Sequence, residues 1–209
     1  MTIPFFTGFG NFFKKLWTGC TGKDIQACYT AKTLNSTNIP PAAVIIERGK
    51  GFVEGAIRKI TQEWANHAAL SCGGLDTIEA EGGGMTEDKL DPTTGQGIIY
   101  VKQDLTPIQA VSIIAFAKGL KGKPYNYPAI VIDFLVGGDD SSNATDFCSE
   151  ADVQEYASQN IPISQKKAEL TSPGDIGVYL TNQVVNKQNG WIIWDTWGIT
   201  QADAIKVFV

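Results

Sequence analysis

The sequence predicts one domain of mixed helix and strand. Three observations predict it. Short apolar runs bounded by glycine turns read as strands, above all around Gly73-Gly74. Longer stretches with apolar residues at helical spacing read as separate helices. A length of 209 residues with 43% hydrophobic content suits one domain with one core.

The elements follow in order. Phe5, Phe9, Phe12, Phe13 and Leu16 recur at helical spacing, with Lys14, Lys15 and Trp17 near the end. This suggests an amphipathic helix over residues 3–17 for a membrane surface or a partner's groove. The commoner use of such a helix is to fold onto its own core. A signal peptide fits poorly, because Gly8 and Gly10 interrupt the apolar stretch and the lysines follow it. Gly19-Cys20 faintly resembles a lipoprotein cleavage site, and Lys14-Lys15 argue against one. Residues 1–38 thus read as an N-terminal extension ending in a Thr/Asn-rich connector, and 39–209 as the main domain.

Ala43-Val44-Ile45-Ile46 reads as a strand, and Phe52, Val53, Ala56, Ile57 and Ile60 as a helix face. Ala68 to Cys72 and Asp76 to Ala80 read as a hairpin. Gly82 to Gly95 looks like an elaborated loop, and Gly97 to Val101 like a further strand. Thr106-Pro107 opens a helix, with Thr as cap and Pro at the first position. Its apolar set is Ile108, Val111, Ile114 and Ala115, and it ends near Gly119 and Gly122. Tyr127-Pro128 opens another helix through Val136, and a polar loop from Gly137 to Ala144 follows. Ala151 to Ala157 is helix-like, Asp175 to Leu180 reads as a strand, and Gln183 to Trp194 as a hairpin around Asn189-Gly190. Trp191, Trp194 and Trp197 lie three apart, so on a strand they cannot all share a face. They read as core and rim. The chain shows no internal repeat.

Cys148 is the residue with the clearest chemistry. It lies in Thr145-Asp146-Phe147-Cys148-Ser149-Glu150, at the start of a helix-like stretch. Unsatisfied backbone N–H groups at a helix start favour thiolate over thiol. A thiolate needs a base, and the chain has 1 histidine, His67. The plainer readings are a small buried cysteine and a structural histidine. The hairpin places an acid near the imidazole, and its register decides which. A two-residue Gly73-Gly74 turn would pair His67 with Ala80 and turn Glu79 away. A three-residue turn through Leu75, or a bulge, would put Glu79 and Glu81 on the face of His67. A carboxylate there fixes the imidazole tautomer; otherwise the glutamates only solvate a face. Tyr125 and Tyr127 are candidates for holding an oxyanion, although packing is their commoner role. Ser149, beside the thiol, is a further substrate-binding or oxyanion candidate.

Cysteines 20, 28, 72 and 148 match no zinc spacing. Cys20 and Cys28 are a disulfide in an oxidising compartment or else free thiols. Cys72, five residues from His67, reads as core. Neither a metal nor a cofactor is called for.

The order of parts resembles the circularly permuted, papain-like cysteine hydrolases of the NlpC superfamily, in the YiiX/YebB-like branch. The resemblance spans about residues 42–181. Its carriers are Arg48-Gly49-Lys50-Gly51-Phe52, Asn66-His67-Ala68-Ala69-Leu70, Thr77-Ile78-Glu79-Ala80, Tyr125-Asn126-Tyr127, Phe147-Cys148-Ser149-Glu150 and Ser172-Pro173-Gly174-Asp175-Ile176. It implies Cys148 as nucleophile, His67 as base and Glu79 as the third, orienting residue, with the base ahead of the nucleophile in the chain. It also implies an α+β fold, an antiparallel sheet or partial barrel packed against the helix carrying the cysteine. The chain departs from the pattern at Asn66, where a serine is common.

Charge narrows the partners. A net charge of −5 leaves no basic stripe for nucleic acid. No apolar run reaches the roughly 18 residues of a membrane span. The resemblance implies peptide-type amides, including cell-wall peptides, or lipid amides and esters as substrates. The polar segments Gly137 to Asp146 and Gly82 to Gly95 favour a peptide over an acyl chain, which needs an apolar trough. Three readings therefore stand. The first is a Cys-His-Glu amide hydrolase, with a lipid acyl hydrolase or acyltransferase as its variant. The second is a binding module on an inactive scaffold. The third is a structural or virion component.

Overall fold

The computed structural model describes residues 37–49, 63–81, 84–122 and 148–209. The strands are β1 (Val44–Arg48), β2 (His67–Gly73), β3 (Asp76–Glu81), β4 (Gly84–Lys89), β5 (Gln96–Lys102) and β6 (Trp191–Trp197). They form one 6-stranded sheet in the order β4-β3-β2-β1-β5-β6, with every pairing antiparallel. The helices are α1 (Pro107–Gly119), α2 (Cys148–Ala157), α3 (Pro173–Val185) and α4 (Gln201–Lys206). Among the described residues, no helix is long and apolar enough to cross a membrane.

Alternation along the strands builds two apolar clusters. Val44, Ile46, Ala68, Leu70, Ile78 and Ile98 join Ile113 of α1, Tyr156 of α2 and Ile176 and Leu180 of α3. The intervening residues Ile45, Ala69 and Ile99 pack with Ile39, Leu90 and Trp197. Burial of each such aliphatic side chain contributes roughly 1.5–3 kcal/mol. β1, at the centre, is apolar on both faces for this reason.

α2 packs on β2 and β3 and is held at both ends. The Ser149 hydroxyl donates to the Thr171 carbonyl at 2.5 Å. Near the other end, the Tyr156 hydroxyl donates to the Ala42 carbonyl beside β1.

Four sequence expectations are corrected. Gly82 to Gly95 is not all loop, since it contains β4. That strand forms the sheet edge, and its exposed Glu87, Asp88 and Lys89 carry charge, as edge strands do. Asp175 to Leu180 is helix, not strand. Ser172 and Asp175 form a capping box with Pro173 in the first turn. The alternation of Ile176, Val178 and Leu180 misleads, because the helix buries Ile176 and Leu180 and leaves Val178 outside. The C-terminal hairpin is also absent: Gln183 lies in the last turn of α3, which ends at Val185, and the Asn189-Gly190 turn joins that helix to β6. In α1, Ala110, Ile113 and Ala117 are buried while Ile108 and Val111 face out. Apolar residues surround that helix, so spacing alone does not identify the packed face.

The tryptophans fall as core and rim. Trp194 is the extra residue where the β5–β6 register shifts. That bulge lets Trp191 and Trp197, six apart, enter different clusters, while Trp194 stays exposed. The ring of Trp197 lies directly over Gly97 of β5.

Candidate active site

The β2–β3 hairpin sets the geometry. Its turn is Gly74-Leu75, with Gly74 at φ +66°. The pairs Gly73↔Asp76 and Ser71↔Thr77 leave Cys72 as a bulge. Past the bulge Ala69 is opposite Glu79, so His67 and Glu79 share a face. Of the two arrangements that could bring this about, the bulge is the one found.

Asn66 fixes where β2 begins. Its side chain is buried, accepts from Gly49 N at 2.8 Å and donates to Gly49 O at 3.2 Å. Its backbone N–H donates to Glu47 O at 3.0 Å. The end of β1 and the start of β2 are thereby clamped together immediately before the histidine.

The imidazole stands between a carboxylate and a thiol. His67 Nε2 bonds Glu79 Oε2, and Thr77 Oγ1 donates to Glu79 Oε1 at 2.8 Å. Cys148 also hydrogen-bonds the imidazole. With Nε2 engaged by Glu79, Nδ1 is the nitrogen left for the thiol. Cys148 is 2% exposed and opens α2, where first-turn N–H groups have no partner within the helix.

Burial pushes the His67 pKa down, but hydrogen bonds from Cys148 and Glu79, and then their charges, raise it well above the usual imidazole value. For Glu79, burial acts upward and is overcome by the hydrogen bond and charge of His67 and by the Thr77 hydroxyl, so its carboxyl is held below the usual range. Two more acids lie beneath the site on α2. Asp152, one turn after Cys148, and Glu155 are both buried. Burial first, and then the charge of Glu155, drive the Asp152 carboxyl well above its usual range, while the charge of His67 pulls the other way.

The structure thus brings Cys148, His67 and Glu79 together. Ser149 is wholly buried and its hydroxyl is donated to Thr171, so only its backbone N–H is free of that anchoring role. Tyr125, Tyr127, the helix expected over 52–60, the helix expected over 127–136, residues 3–17, Cys20 and Cys28 lie outside the described residues. Cys72 is half-buried, and burial pushes its thiol pKa up. Sequence reasoning missed Asn66, Thr77, Asp152 and Glu155 as parts of the site. The available signals were spacing: Thr77 is two before Glu79 on a strand, and Asp152 is four after Cys148 on a helix.

No family model matches the chain. A curated protein of Escherichia coli strain K12, "Probable lipoprotein peptidase YaeF", is 28% identical over 158 residues, covering 72% of this chain and 55% of its own length. The chain therefore spans about half the length of that relative. The crystal structure of "metalloprotein yiiX" from Escherichia coli O157:H7 superposes with a TM-score of 0.50 at 16% identity, covering 75% of this chain and 89% of that one. Among the described residues of this chain, no group of three or more His, Cys, Asp or Glu side chains could hold a metal ion.

Proposed function

We propose that this YiiX-like, NlpC/papain-like protein is a thiol hydrolase that cleaves peptide-type amide bonds through Cys148. The observation that carries the reading is the imidazole of His67 held between the Cys148 thiol and the Glu79 carboxylate. In this reading His67 Nδ1 takes the thiol proton before Cys148 Sγ attacks the substrate carbonyl, since the raised imidazole pKa favours the imidazolium. Glu79 keeps the proton on Nε2 and steadies the imidazolium. Backbone N–H groups at the start of α2, with Tyr125 and Tyr127 as further candidates, receive the developing oxyanion. The imidazolium then returns its proton to the leaving amine, and water hydrolyses the thioester. The base precedes the nucleophile in the chain, which is the permuted order.

A peptide amide is favoured over an acyl ester for two reasons. The curated relative is named a peptidase. The segments Gly82 to Gly95 and Gly137 to Asp146 are also polar in sequence. No step is routed through a metal, because the described residues do not supply a ligand set.

The test is turnover by purified wild type and Cys148→Ala of muropeptides and short peptides against acyl esters and phospholipids. Amide cleavage lost in the variant supports the proposal. Cys148-dependent ester or phospholipid cleavage without amide cleavage moves the substrate class to acyl groups. Turnover that survives Cys148→Ala overturns the nucleophile.

A further inference from the structure

We propose that Thr77 is a positioning residue for this site: its hydroxyl determines which carboxylate oxygen of Glu79 meets His67 and holds the carboxylate in that orientation. The inference rests on the proposed reading of the Cys148–His67–Glu79 site.

A glutamate bound through one oxygen still turns about its last torsion, which is broad and roughly two-fold. A second donor on the other oxygen removes that freedom. Thr77 supplies it from two residues earlier on β3, where alternation puts both side chains on one face. Threonine is suited to the task because branching at Cβ restricts its χ1 and presets the direction of Oγ1. Thr77 is 1% exposed, so water does not compete for the hydroxyl's donor role. The Cys72 bulge lies just beyond the Ser71↔Thr77 pair and keeps Thr77, Glu79 and His67 in common register. The hydrogen bonds thus run in series from Thr77 through Glu79 to His67, and on to Cys148.

The competing account is a buried threonine that merely satisfies its own hydroxyl. Valine separates the two, because it keeps the shape and removes only the donor. His67 is the chain's 1 histidine, so its ring proton gives an unambiguous NMR titration. The titration is run in a Cys148→Ala background, which removes coupling to the thiol. The other acids near the imidazole are Glu79 on β3, Asp152 on α2 and Glu47, paired with His67 on β1. All remain unchanged between Thr77 variants, so a difference reports the hydroxyl.

Thr77→Val is expected to lower the His67 titration midpoint, and Thr77→Ser to restore it. With Cys148 intact, Thr77→Val is expected to slow iodoacetamide modification of Cys148 about fivefold, again with recovery by Thr77→Ser. On a Glu79→Gln background Thr77→Val should add nothing. An unchanged midpoint and unchanged rate in Thr77→Val overturn the proposal, as does an equal effect when Glu79 is already replaced. If Thr77→Val fails to fold by circular dichroism, the Thr77→Ala and Thr77→Ser pair decides by the same readouts. None of them needs turnover. Loss of the hydrolase reading through Cys148→Ala would therefore leave the titration result standing, and the converse holds too.

Discussion

Glu79 reaches His67 diagonally across the hairpin, from a backbone position opposite Ala69 rather than opposite the histidine. A diagonal neighbour on an antiparallel pair is about 7–8 Å away at Cα, within reach of two long side chains that lean toward each other. The contact depends on the bulge at Cys72, since loss of one residue of register would turn Glu79 to the other face.

Glu79→Gln therefore removes the ionised acceptor while keeping the size of the side chain. It should lower kcat by roughly 10²-fold, because the imidazole loses both its fixed tautomer and the charge that steadies its protonated form. Steady-state kinetics on a peptide that the wild-type protein turns over would check this. KM should move little.

The same pair sets a pH window for stability. Glu79 is held below its usual range, so its contribution is present above the ordinary carboxylate pKa and is lost as pH falls through the depressed value. His67 is raised, so its contribution is complete below the ordinary imidazole pKa and is lost as pH rises through the raised value. Both contributions are whole between about pH 4.3 and 6.5. With the Asp152 contribution removed by Asp152→Asn, a Tm series against pH should show its plateau there, and Glu79→Gln should flatten both limbs.

Asp152 adds a slope of its own. Its carboxyl is raised, so above the ordinary carboxylate range the folded chain keeps a proton that the unfolded chain has released. Stability then declines as pH rises through that interval. Asp152→Asn should make Tm less dependent on pH above the ordinary carboxylate range, since the new amide can donate to Glu155 without titrating. An unaltered slope would show that Asp152 ionises in place.

Reactivity at the two described cysteines should run against exposure. Cys148 is 2% exposed and Cys72 is half-buried, so access alone favours Cys72. Burial pushes the Cys72 thiol pKa up, whereas Cys148 has His67 as a hydrogen-bond partner. Iodoacetamide at neutral pH, followed by peptide mass spectrometry, should modify Cys148 first. Faster labelling of Cys72 would mean that the thiol of Cys148 is not activated.

At Gly97 the packing leaves no room for a side chain. A Cβ there would fall 1.9 Å from the Trp197 ring. Gly97→Ala should cost about 1–3 kcal/mol in denaturant unfolding. Trp197→Leu in the same chain should recover part of it.

Much of the candidate site was legible in the sequence because its parts are local. A cysteine at a helix start, a histidine opening a strand and an acid on the return strand are each visible in a few residues. The bulge was legible only as one of several registers, because the choice among them depends on how β3 pairs with β2 and β4. Asp152 and Glu155 lie in a stretch that the sequence marks only as helix-like, and the packing of α2 on β2 and β3 buries them. α3 was misread because Ile176, Val178 and Leu180 alternate like a strand, although the Ser172–Asp175 capping box was present in the same segment. α1 was found, but its buried face was not, since that choice belongs to its neighbours.

The central claim is that His67 activates Cys148, and an electrophilic acyl probe tests it most directly. Intact-mass spectrometry of the native protein with the probe at neutral pH should give one adduct, mapped to Cys148. The adduct should be absent in Cys148→Ala and should form far more slowly in His67→Ala. Labelling of His67→Ala at the wild-type rate, or adducts spread over other residues, would contradict the account.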